Sequence, residues 1–146
     1  MDEDYISHLI KNSPRLKYKF GGIYPADKFP ILIPNNTFVI VNSENSNSTG
    51  KHWIVWSNVK GTFNFADPLG LDLFLHYPNI AKRISAIPIQ VQQTLKDATK
   101  TPLQNQNSNL CGLYCIYIAH ILLSSYYPYI CYISETDLLR FVKTLM

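Results

Sequence analysis

Cys111 stands where a polar, amide-rich stretch, Gln104-Asn105-Gln106-Asn107-Ser108-Asn109, runs into an almost wholly apolar one that includes Leu113, Tyr114, Ile116, Ile118, Ala119, Ile121 and Leu122. A polar-to-apolar switch of this kind predicts a loop ending at a buried helix, with Cys111 in the first turn. Unpaired N–H groups and the helix dipole favour negative charge there, so a thiol is most easily made a thiolate at that point. A nucleophilic thiolate needs a base, a group that orients the base, and donors that meet the oxyanion forming on an acyl substrate. His52 can be the base and Asp67 the orienter. The Cys111 backbone N–H and one side-chain amide from Gln104, Asn105 or Gln106 can be the donors.

The elements that must bring these residues together can be read around them. Thr37 to Val41 is a strand, and Asn42 to Lys51 a polar loop whose composition suits a surface flap. His52 to Ser57 alternates as a second strand, with His52, Ile54 and Trp56 on one face and Trp53 and Val55 on the other. Asn58-Val59-Lys60-Gly61 reads as a four-residue turn into a third strand, Thr62 to Asp67. If Ser57 closes that turn opposite Thr62, Trp56 faces Phe63, Ile54 faces Phe65 and His52 faces Asp67. Opposed residues on one face have Cβ atoms about 4.5–5.5 Å apart. An imidazole is thereby expected beside a carboxylate, and a one-residue slip would separate them.

Elsewhere, residues 2–12 read as an amphipathic helix, with Tyr5, Ile6, Leu9 and Ile10 as its apolar stripe. Residues 17–34, punctuated by Gly21-Gly22, Pro25, Pro30 and Pro34, read as loop. Short helical turns are expected at Asp72 to His76 and Ile80 to Ser85. Ile87 to Val91 reads as a fourth strand, with Pro88 suiting an edge, and Gln92 to Asn109 as polar loop. The buried helix spans Leu110 to Tyr126. Ser134 caps a last helix from Glu135 to Leu145. The expected fold is α+β: a mixed or antiparallel central sheet of four to five strands packed against the helix that carries Cys111. With no repeat and no boundary in 146 residues, the chain reads as a single domain, 1–146.

Composition narrows the functions. A net charge of +3 is too small to argue for nucleic acid. The longest apolar run, Leu110 to Leu123, falls short of the roughly 20 residues that span a bilayer, so no membrane partner is expected. An acidic start and three cysteines without a disulfide framework point to an intracellular chain. Cys111, Cys115 and Cys131 lack the paired spacing of a zinc site, so neither metal nor cofactor is expected. Taken singly, each site residue has a plainer reading: an inert core cysteine, a strand-end histidine, a turn aspartate, a solvated amide loop. Cys115, one turn beyond Cys111, is read as structural, as are His8, His76 and His120.

Three blocks resemble the adenain family, the adenovirus-type cysteine endopeptidases, within the clan that also holds SUMO-specific proteases. Gly22-Ile23-Tyr24-Pro25-Ala26-Asp27-Lys28-Phe29-Pro30 is similar to that family's N-terminal element, with a small insertion. His52-Trp53 and Asp67-Pro68-Leu69-Gly70 are similar to its His-Trp and acidic-Pro-x-Gly motifs. Gln104 to Cys115 is similar to its Gln-x-x-Asn-Ser-x-x-Cys-Gly-Leu-Phe-Cys block, the most specific of the three. The resemblance implies a triad of His52, Asp67 and Cys111, with Gln104 in the oxyanion hole because it lies seven residues before the cysteine, as in adenain. SUMO proteases place theirs six before, which here is Asn105. Trp53 and Gly112 would line the substrate. The substrate would be a polypeptide with glycine near the scissile bond, in structural precursors of a DNA virus, virophage or Polinton-type transposon. Host nucleus, cytoplasm or virion would be the setting. Adenain is activated by DNA and by a disulfide-linked peptide, but this chain has no cysteine between Asp67 and Gln104 to tether one. A ubiquitin-like-protein isopeptidase and an inactive binding module are the rival readings.

Overall fold

A computed structural model describes residues 3–46, 52–99, 102–103, 110–124, 130 and 132–145. Five strands form one sheet in sequence order: β1 (Phe20–Tyr24), β2 (Thr37–Asn42), β3 (Trp53–Val59), β4 (Thr62–Ala66) and β5 (Lys96–Asp97). β1 runs parallel to β2, β3 is antiparallel to both β2 and β4, and β5 is parallel to β4. The fold is thus α+β with a mixed sheet.

Six helices accompany the sheet among the described residues. They are α1 (Glu3–Lys11), α2 (Leu73–His76), α3 (Pro78–Ile84), α4 (Ile89–Gln92), α5 (Cys111–Leu122) and α6 (Glu135–Lys143). Alternation along β3 sorts the core into two layers. Trp53 and Val55 join Phe38, Ile40 and the apolar residues of α1, α5 and α6 on one side. Ile54 and Trp56 join Val39, Val41, Phe65 and the residues of α2 and α3 on the other. β3 therefore has both faces buried, and α5 packs across it. α5 is apolar all round because it lies between that sheet and α1 and α6. α6 starts where expected, with the Ser134 hydroxyl accepting from the Asp137 N–H at 3.2 Å.

Three expectations need correction. Phe20–Tyr24 is a strand rather than loop, because its two glycines serve the strand. A Cβ on Gly21 would lie 2.9 Å from Val39 Cγ1, and Gly22 takes φ 113° at the register shift against β2. Ile87 to Val91 is not a strand: Pro88 leads into α4, where its fixed φ suits a helix start. The fifth strand comes instead from Lys96–Asp97, inside the stretch read as loop.

The third correction concerns the hairpin. Val59 pairs with Thr62, and Trp56 with Phe65, so the turn has two residues instead of four. Lys60 at φ 54° and Gly61 at φ 82° are both left-handed, as a type I′ turn demands. The slip is an even number of residues, so every side chain keeps its face. Continuing the register sets Ile54 against Asp67, and His52, just before β3, reaches Asp67 diagonally.

Gly61→Ala isolates this backbone requirement, since nothing lies within 4 Å of the added methyl. We expect it to lower the unfolding free energy by about 1 kcal/mol, and Lys60→Asn to raise it, in urea titrations.

Candidate active site

Asp67 is fully buried at the end of β4, and its carboxylate accepts four hydrogen bonds. Oδ1 accepts from His52 Nε2 at 2.6 Å and from the Leu69 N–H at 3.0 Å. Oδ2 accepts from the Tyr77 hydroxyl at 2.6 Å and from the Leu71 N–H at 3.1 Å. The turn Pro68-Leu69-Gly70 exists to make this possible: Gly70 takes φ 67° and its N–H donates back to the Asp67 carbonyl at 2.9 Å. The Asp67 N–H donates to Thr99 Oγ1 at 2.7 Å, which fixes the backbone from the side of β5.

With Nε2 engaged by Asp67, the other ring nitrogen of His52 is left for Cys111, to which the ring is hydrogen-bonded. The Tyr77 ring stacks beside the imidazole, centroids 6.1 Å apart and planes at 14°. His52 is thus held by a carboxylate at one edge, a ring on one face and a thiol at the other edge. Its backbone is fixed as well, because the His52 carbonyl accepts from the Ser43 N–H at 2.9 Å.

Cys111 opens α5 and is buried. The Trp53 and Gly112 backbone N–H groups lie where they favour negative charge on its sulfur. One turn on, Cys115 is wholly buried, and its Sγ lies 3.3 Å from the Trp53 carbonyl, to which it donates. The first turn of α5 therefore meets the first residue of β3 twice, through Cys111 and through Cys115. This joint sets the thiol beside His52. Both cysteines are free thiols.

The electrostatics separate the two sulfurs. Burial pushes the Cys111 thiol up, but the His52 hydrogen bond and the Trp53 and Gly112 N–H groups outweigh it, leaving the thiol below its ordinary value. Burial alone would push His52 down. The hydrogen bonds to Asp67 and Cys111 prevail and raise it to about 9. Burial drives Cys115 well above the ordinary thiol range, with no imidazole to oppose it. The arrangement thus favours imidazolium on His52 at neutral pH and eases the loss of the Cys111 proton. Since the folded value of His52 lies above its unfolded one, its contribution to stability is complete below about pH 6.5. That contribution is lost as pH rises through about 9.

This arrangement has the layout of a cysteine hydrolase. Residues 20–139 match the profile of the adenovirus endoprotease family, well over half of the chain. The chain belongs to that family. It is a cysteine endopeptidase, a hydrolase of peptide bonds, and its substrates are polypeptides. No curated protein matches the chain. Among the described residues, no helix is long and apolar enough to cross a membrane.

Of the residues singled out from the sequence, His52, Asp67, Cys111, Trp53 and Gly112 come together at this endoprotease's thiol. Gln104, Asn105 and Gln106 lie outside the described residues. Leu103, immediately before them, is buried and its N–H donates to the Pro68 carbonyl at 2.8 Å, next to Asp67. Tyr77 and Thr99 were missed. No spacing rule ties a tyrosine ten residues on, or a threonine in a polar stretch, to a carboxylate at a strand end. The one available signal was that a buried Asp67 would need donors beyond His52.

His52→Ala removes the strongest influence that lowers the Cys111 thiol and leaves burial unopposed. Iodoacetamide alkylation of Cys111 at pH 7 should therefore slow by about tenfold or more, each pKa unit being tenfold in thiolate. Its rate-versus-pH profile should move to higher pH.

Proposed function

We propose that residues 1–146 act as one protease domain in which Cys111 is the nucleophile, His52 the general base and acid, and Asp67 the orienter. What supports this reading is a single observation: His52 lies between Asp67 Oδ1 at 2.6 Å and the Cys111 thiol. The Cys111 sulfur attacks the scissile carbonyl carbon, and the C=O electron pair moves onto oxygen. The Cys111 N–H, at the helix start, and the Gln104 side-chain amide donate to that oxyanion. When the tetrahedral species collapses, the C–N bond breaks and the His52 imidazolium gives its proton to the leaving amine. A water then loses a proton to neutral His52 and adds to the thioester carbonyl; the C–S bond breaks, releasing the new carboxyl terminus and restoring the Cys111 thiolate beside the His52 imidazolium. Every proton is carried by His52, so the mechanism calls for no metal or cofactor.

Asp67 acts by fixing the ring. With Oδ1 on Nε2, the other nitrogen must point at sulfur, and the carboxylate favours the imidazolium. Trp53 and Gly112 border the thiol through their backbones and line the substrate strand. The substrate, by family resemblance, is an extended polypeptide with glycine near the scissile bond. By family resemblance, the substrates are structural precursors of a DNA virus or mobile element. The setting is a host nucleus or cytoplasm, or the virion. A peptide activator would act without a disulfide tether, and net charge gives no support to DNA.

Digestion of a peptide library by wild type, Cys111→Ala and Gln104→Ala tests the proposal. Wild type should cut next to glycine, and Cys111→Ala should not cut. Gln104→Ala should lose about 10²–10³ in kcat, the cost of one oxyanion donor. Cleavage that persists in Cys111→Ala would overturn the nucleophile. An unaltered rate in Gln104→Ala would move the oxyanion donor to a neighbouring amide. Labelling by a ubiquitin or SUMO vinyl sulfone with no library cleavage would favour the isopeptidase reading.

A further inference from the structure

A second cleft lies at the opposite end of α5 from Cys111, nine residues or about 14 Å along the helix axis. It has a volume of about 370 Å³ and is lined by Pro14, Arg15, Leu16, Lys19, His120, Leu123 and Ser124. Two features distinguish it from an ordinary surface groove. Among the described residues, its ionisable lining is entirely of the basic type, one guanidinium, one ammonium and one imidazole, with no carboxylate. Among the described residues, neither Arg15 nor Lys19 enters an ion pair. In addition, Nδ1 of His120 is buried and has no hydrogen-bond partner, although the ring itself is fixed edge-on to Phe141 at 5.2 Å. A buried polar atom without a partner is uncommon and needs a reason.

We propose that this cleft binds a small organic phosphate, with the phosphoryl group on Arg15, Lys19 and His120 and the organic body against Leu16 and Leu123. Converging full charges and a guanidinium fork suit a tetrahedral oxyanion with several acceptors. The volume falls in the range of small-molecule sites of about 300–1,000 Å³, which is more than a bare ion fills. The alternative role for Arg15 and Lys19 is to offset the dipole at the end of α5. That dipole is worth only about half a charge. Two fixed cations exceed it, so the cleft keeps a net positive character that attracts an anion. The mutual repulsion is visible at His120, which burial and then Arg15 and Lys19 push below the ordinary histidine value. A bound phosphate would relieve that repulsion. This site is independent of the proteolytic reading, since none of its residues touches the thiol, His52 or Asp67.

Calorimetric titration of the full chain with phenyl phosphate and with inorganic phosphate, at fixed ionic strength in chloride, tests the proposal. Phenyl phosphate should bind saturably at one site per chain and tighter than inorganic phosphate, and it should shift the His120 ring resonances in NMR spectra. Arg15 is exposed, so Arg15→Gln should leave the fold intact. It should weaken phenyl phosphate roughly tenfold, and Arg15→Gln/Lys19→Gln should weaken it further. An unchanged Cys111 alkylation rate certifies that these variants are folded. The proposal is overturned by an absence of saturable binding or by affinity that survives the double substitution. Equal affinity for the two probes would overturn the assignment to an organic phosphate.

Discussion

A carboxylate with no access to water has to find its donors inside the protein, and at Asp67 that requirement organises the whole site. Four donors converge on it from three directions: His52 from the strand before it, Leu69 and Leu71 from the turn after it, and Tyr77 from the helical segment beyond. Removing one would leave a lone pair of a buried charge unsatisfied, at a cost of about 1–3 kcal/mol or more. The same contacts that satisfy the carboxylate fix the imidazole, so stability and chemistry draw on one set of hydrogen bonds. A looser aspartate would serve neither, because a ring free to turn could not hold one nitrogen on the sulfur.

The scaffold around this carboxylate follows from where polar groups can be tolerated. β3 is buried on both faces, so its N-terminal end is where the sheet can first present a residue with some access to solvent, and His52, mostly buried, stands just before it. α5 is equally apolar, and its first turn is where a partly charged sulfur has unpaired N–H groups to meet. The Cys115 thiol, donating to the Trp53 carbonyl, pins these two ends together. The site is therefore the meeting of two element termini in an otherwise hydrophobic sandwich. The contrast between the two sulfurs shows what the terminus contributes. Both are buried, but only the one facing N–H groups and an imidazole is lowered.

Much of this was legible because side-chain type and period carry it. The alternation His52-Trp53-Ile54-Val55-Trp56 placed the imidazole on the face of Asp67, and that inference survived a mistaken turn because the error was an even number of residues. What escaped reading depended on backbone conformation or on long-range satisfaction. Gly21-Gly22 looked like a turn, but one glycine admits the neighbouring strand's Val39 and the other makes a bulge. Ile-Pro-Ile-Gln-Val alternates as a strand would, yet its proline suits a helix start equally well, and five residues are too few for period to decide. The two-residue Lys60-Gly61 turn was hidden because lysine rarely takes a positive φ. Tyr77 could not be found at all without knowing that Asp67 is buried.

The thiolate–imidazolium pair between Cys111 and His52 is the property on which the chemistry rests, and the ring can report on it directly. In a pH titration of the His52 imidazole followed by NMR, the pair predicts a ring that is protonated at neutral pH and loses its proton near pH 9. The midpoint should fall when Cys111 is replaced by alanine. A His52 ring that titrates near the ordinary 6.5 and does not respond to Cys111→Ala would contradict it.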